Sequence, residues 1–162
     1  MVRTLSRFVV LAGAVVLPLH AERLDDSLSP QEQINVAFVW KHPAPNETLD
    51  AREFNAVVAQ ARNVDTRLDT SNYVGANARI FLELPIQVRG LDNPYRLDVS
   101  WTTGGLFQDG EVTPGNRRLI FEGTIPTPVM RDIFNFNFEV DARFLTYNLR
   151  LEPVYEIEIV SP

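Results

Sequence analysis

Residues 79–101 read RIFLELPIQVRGLDNPYRLDVSW, and their alternation decides the fold class. Ile80, Leu82, Leu84, Ile86 and Val88 fall at every second position, interleaved with Phe81, Glu83, Pro85, Gln87 and Arg89. Successive side chains of a strand point to opposite faces, so this run has one apolar and one mostly polar face. Gly90-Leu91-Asp92-Asn93-Pro94 supplies turn chemistry, and Leu97, Val99 and Trp101 resume the alternation. The stretch therefore predicts a half-buried antiparallel hairpin over about Ala78–Thr103, a piece of scaffold with no chemistry of its own.

The same period recurs toward the C-terminus. Phe134, Phe136, Phe138 and Val140 alternate with Asn135, Asn137 and Glu139; Tyr147, Leu149 and Leu151 alternate with Asn148, Arg150 and Glu152; Tyr155, Ile157 and Ile159 alternate with Glu156 and Glu158. These spacings place the aromatics and aliphatics in the core and the acids on a solvated face. Arg117–Ile125 reads as a further strand, entered through the turn Thr113-Pro114-Gly115-Asn116, where proline and glycine suit a type II geometry. Gly104-Gly105 and Asp109-Gly110 are tight-turn pairs. Short strands punctuated by turns predict a mainly β chain, an antiparallel β-sandwich of Ig-like or jelly-roll-like kind.

One segment breaks the pattern. Asp50-Ala51-Arg52-Glu53 fits a capping box, and Phe54, Val57, Val58 and Ala61 follow at helical spacing, with alanine at 51, 56, 59 and 61. This predicts one short helix over residues 51–62. Residues 63–77 read as loop with a short strand near Val64–Leu68, and Ile34–Trp40 as the first strand of the fold.

The N-terminus predicts export. Arg3 and Arg7 precede the apolar run Phe8–Leu17, and Pro18-Leu19-His20-Ala21 leads into the polar segment Glu22–Gln33. That order describes a signal peptide over residues 1–21, with an uncleaved anchor as the alternative. Residues 22–33 then form a flexible leader and residues 34–162 a single domain. The expected destination is the periplasm of a bacterium, with the cell surface or the medium as other possibilities.

Losing Arg3 and Arg7 would take the formal charge from −6 to −8. Such a surface argues against nucleic acid and anionic membranes as partners, because phosphate contacts need clustered cations. The chain has no cysteine, which removes disulfides, thiolate catalysis and a lipid anchor of the bacterial lipoprotein type.

No catalytic constellation stands out. His42 is the sole histidine after residue 21, sits beside Pro43 in a proline-rich loop, and has no nucleophile elbow to serve. Asp65 and Asp69, with Ser71 and Asn72, make the nearest approach to a metal site, but their spacing is not that of a calcium loop and turn chemistry accounts for them. No cofactor is implied. Paired carboxylates for a hydrolase have no sequence signature here. Asn46-Glu47-Thr48 matches a glycosylation sequon, of little meaning in a bacterial chain.

Aromatics are the stronger candidates. Trp40, Tyr73 and Tyr95 lie at or near loops and are the expected ligand- or partner-binding residues, whereas Trp101 and the three phenylalanines of 134–138 are expected in the core. The sequence thus predicts a non-catalytic structural or interaction protein that uses a sheet edge or loop to meet a protein partner or itself. A glycan- or small-ligand-binding sandwich is the alternative, and a hydrolase with acidic residues the third reading.

Overall fold

Strand β9, Val129–Asp141, is the spine of the molecule. The computed structural model describes residues 21–30, 37–41 and 55–160. Along β9 every even-numbered residue from Met130 to Val140 is buried and the odd-numbered ones turn outward. On one side β9 pairs with β3, Ala56–Asp69, and on the other with β6, Leu97–Thr103. Adding β2, Val39–Trp40, and β7, Gly110–Val112, gives an antiparallel five-stranded sheet of order β2-β3-β9-β6-β7.

A second sheet carries β1, Glu22–Arg23; β4, Asn77–Glu83; β8, Arg117–Thr124; and β11, Val154–Ile159, in the order β1-β11-β4-β8. A third ladder joins β5, Arg89–Leu91, to β10, Leu145–Arg150. All pairings are antiparallel. Ile80, Leu82 and Ile157 of the second sheet share one core with Val99, Trp101, Phe134 and Val140 of the first, so the fold is the predicted β-sandwich. Among the described residues no helix is long and apolar enough to cross a membrane.

The core expectations hold along β9 and for all of β11's apolar face but Ile159, which is exposed. Trp101 and Phe134 are wholly or almost wholly buried, and Phe134, Phe136 and Phe138 form a stacked row, with neighbouring centroids 5.3 and 6.2 Å apart. Tyr155 and Ile157 are buried as their alternation requires. The Thr113–Asn116 turn closes with the Asn116 N–H donating to the Thr113 carbonyl at 3.1 Å, and Gly115 takes a φ of +80° that suits glycine.

Four expectations need correction. First, the helix over residues 51–62 is absent among the described residues: Ala56–Arg62 lie in β3, while 51–54 fall outside them. The cause is a bulge. Ala61 faces Phe136 and Val64 faces Phe134, so Arg62 and Asn63 together oppose Asn135. The buried positions are 56, 57, 59 and 61 before it and 66 and 68 after it, and this phase slip dilutes the period of two. Asn63 takes a φ of +58° there, and its N–H donates to Asn135 Oδ1 at 3.1 Å. The same strand runs on to Asp69, taking in the short strand expected near Val64–Leu68.

Second, residues 79–101 do not form one hairpin. β4 and β6 lie in different sheets, and β5 between them pairs with β10. The face of β4 ends at Leu84, and Ile86 is 50% exposed. Alternation identifies strands, but the partner of each strand is a long-range fact. Third, residues 22–30 are no flexible leader. β1 pairs with β11, Leu24 is buried in the core, and Asp25 bridges to Asp69. Fourth, Glu158 is not solvated: it is 7% exposed and held by Arg117 at 2.7 Å. Of the expected strand at Ile34–Trp40, only Val39–Trp40 is seen within the described residues.

Candidate interaction surface

The three nominated aromatics do not converge. Val57 pairs with Trp40 on one side and Val140 on the other, and Val140 pairs with Leu97. Trp40 and Tyr95, two residues before Leu97, therefore sit at the same end of the five-stranded sheet. Strand spacing puts the Trp40 and Leu97 backbones roughly 14 Å apart. Tyr95 is 76% exposed and Trp40 47%. Tyr73 lies at the opposite end, in the 3-10 turn Ser71–Tyr73 after β3. It is half-buried against the core, and its hydroxyl is pushed up to about 12 by burial and then by a hydrogen bond to Glu22. Tyr73 is a packing residue that fastens β1, and it leaves the candidate set.

The metal candidates are engaged elsewhere. Asp65 Oδ1 accepts from Arg131 Nε at 2.8 Å, and its Oδ2 accepts from Arg67 Nη2 at 2.6 Å. Arg131, then Arg67, hold the Asp65 carboxyl down to about 2, from an ordinary 3.8. Asp69 Oδ1 accepts from the Ser71 N–H at 2.9 Å, the turn role that its type favours. Among the described residues no group of three or more His, Asp or Glu is placed to hold a metal ion. His42 lies outside the described residues, as do residues 1–20 and the Asn46–Thr48 sequon.

The Asp65 pairing has a pH consequence. Its folded value is depressed, so its contribution to stability is complete above the unfolded value near 4 and is lost as pH falls through about 2. A carboxyl-resolved NMR titration should place the Asp65 midpoint near 2, and Arg131→Gln should move it upward.

Other buried acids are satisfied internally. Asp132 Oδ1 accepts from the N–H groups of Gly104 and Ile133 at 3.1 and 2.7 Å, and its Oδ2 from Phe107 at 2.8 Å. Asp141, fully buried, accepts from the Arg143 backbone and guanidinium, which hold its carboxyl below the usual range. On the outer face of the four-stranded sheet, Arg117 lies over the Phe81 ring, 4.2 Å from its centroid, and bonds Glu156 and Glu158. Beside them burial, then Glu156, push Glu83 upward. This arrangement binds strands β4, β8 and β11 together on an open sheet face.

Two shallower features are new. The outer face of the five-stranded sheet carries a depression of about 300 Å³ lined by Gln60, Arg62, Thr102, Asn135 and Asn137. Next to it runs the outer edge of β3. That edge is covered at Val57–Val58 by β2 and at Arg67–Asp69 by the N-terminal segment, where Ser29 Oγ accepts from the Arg67 N–H at 2.8 Å and Asp69 N–H donates to the Asp25 carbonyl at 2.8 Å. Between them, among the described residues, Ala59–Thr66 has no strand on that side. Val39, 59% exposed, and Trp40 stand at one end of this open stretch. Sequence reasoning missed this stretch because it is a property of strand order.

Comparison with protein-family models, with curated proteins and with solved structures returned no match for this chain.

Proposed function

We propose that this protein is an exported, non-catalytic β-sandwich whose role is structural, and that it works by strand-to-strand association with a second copy of itself. The observation that carries this reading is the edge of β3 over Ala59–Thr66, along which no strand of the described residues runs, flanked by Val39 and Trp40. An edge strand offers a row of main-chain donors and acceptors, and adding a strand there satisfies them while flanking side chains supply specificity. A symmetric partner needs only one surface, since the same edge serves both copies. The bulge at Arg62–Asn63 bends the edge and places a cation on it, which resists indiscriminate stacking of flat strands. Export, to the periplasm or the cell surface, is supported by Arg3 and Arg7 ahead of the apolar run Phe8–Leu17.

Amide hydrogen exchange tests the surface directly. The outward-facing amides among residues 59–66 should exchange fast in dilute solution and slow in concentrated solution, while β4 and β9 amides stay protected in both. Equal exchange of 59–66 at both concentrations would remove the reading.

A second reading, glycan binding, draws on the depression beside that edge. The amides of Gln60, Asn135 and Asn137 with Arg62 and Thr102 match the donor and acceptor groups of a sugar. Saccharide-induced shifts confined to these five residues would favour it over self-association.

A further inference from the structure

The pairing of β4 with β11 ends at Glu83 and Val154, and that of β5 with β10 begins at Arg89 and Arg150. Residues 84–88 on one side and 151–153 on the other thus run between two ladders, unequal in length and outside any strand. A depression of about 270 Å³ opens here, lined by Leu84, Val88 and Leu151 together with Arg89, Arg150 and Glu152. Its floor is rigid. Leu84 is core, and its backbone is tied at both ends to the 113–116 turn, donating to Asn116 O at 3.1 Å and accepting from Gly115 N at 2.7 Å. Val88 and Leu151 are half-buried against the same core.

The rim is charged in an unusual way. Arg89 and Arg150 stand directly opposite each other across the ladder, an arrangement that costs energy for like charges. Arg150 is relieved by Glu152, at 2.7 Å, but among the described residues Arg89 has no carboxylate at ion-pair distance. Two guanidinium groups over an apolar floor match an anionic head and a short hydrocarbon tail. The planar fork of arginine suits a carboxylate in particular. The volume lies at the small end of the range for small-molecule sites, which limits the tail to a short chain.

We propose that this depression binds a small amphipathic carboxylate of the short- to medium-chain fatty-acid class, its head held by Arg89 and Arg150 and its tail laid on Leu84, Val88 and Leu151. Glu152 competes with the ligand for Arg150 and lowers the affinity for anions.

Calorimetric and NMR titration of the full chain with octanoate, kept below its micelle threshold, tests the site. Octanoate should bind saturably with one-to-one stoichiometry. From butanoate upward, affinity should rise by roughly three- to fourfold per methylene until the floor is covered. Arg89→Gln and Arg150→Gln should each weaken octanoate about tenfold or more, the cost of losing a charged hydrogen bond. Glu152→Gln should strengthen it. All three side chains are exposed, so thermal unfolding of the unliganded variants should match that of the parent, which separates lost binding from lost folding. Octanol binding as well as octanoate, unchanged affinity in Arg89→Gln, or the absence of saturable octanoate binding would each overturn the proposal.

Discussion

Replacing Phe134 with alanine should lower the free energy of unfolding by roughly 3–5 kcal/mol, the cost of emptying a well-packed aromatic position. Phe134 has no exposed surface and touches three other rings: Phe136 at 5.3 Å, Phe107 at 5.8 Å and Trp101 at 6.4 Å between centroids. Its neighbours lie on β6, on β9 and in the β6–β7 connection, so little can move in to fill the void without breaking a ladder. A domain of this size is stable by only about 5–15 kcal/mol, which makes the loss a large share of the total. Denaturant unfolding should show a lower midpoint with an unchanged slope, and Phe138→Ala, nearer the sheet end and 8% exposed, a smaller shift. A loss below about 1 kcal/mol for Phe134→Ala would mean that the two sheets do not meet there.

The second large effect belongs to Asp132. Its carboxylate sits under the β6–β7 connection and accepts three backbone N–H groups, two of them from Gly104 and Phe107. Asp132→Ala orphans both, and the Phe107 N–H is buried. An unsatisfied buried donor costs about 1–3 kcal/mol, so the pair should cost roughly 2–4 kcal/mol, tempered by water reaching Gly104. Asp132→Asn keeps one acceptor and should lose about half as much. Because the Phe107 ring packs on Phe134, Asp132→Ala and Phe134→Ala should be non-additive, which a double-mutant cycle measures. Asn destabilising more than Ala would contradict this account of the carboxylate.

What could be read in the sequence follows from how far apart the deciding contacts are. β9 and β11 declare themselves because one face of each is packed against the core along its length, and a period of two is all that needs to be seen. Trp101 and the 113–116 turn were legible for the same local reasons. β3 was legible only over Val64–Leu68, because its bulge shifts the register midway and the valines and alanines before it imitate a helical repeat. The assignment of β4 and β6 to different sheets, the docking of Leu24 and the shielding of Glu158 by Arg117 all depend on residues tens of positions away. The candidate surfaces share that limit. Exposure of Trp40 was foreseeable from its place beside a loop, but Tyr73, expected to be exposed with it, packs against the core, and the edge of β3 and the facing of Arg89 and Arg150 exist only once the strands are ordered.

Association through the β3 edge is open to test by molar mass from light scattering across a wide range of protein concentration. The mass should rise from that of one chain toward twice that value. Trp40→Lys, which places a charge beside the edge, should hold the protein at one chain throughout. A mass that stays at one chain for the unaltered protein, or a rise that Trp40→Lys leaves untouched, would contradict association through this edge.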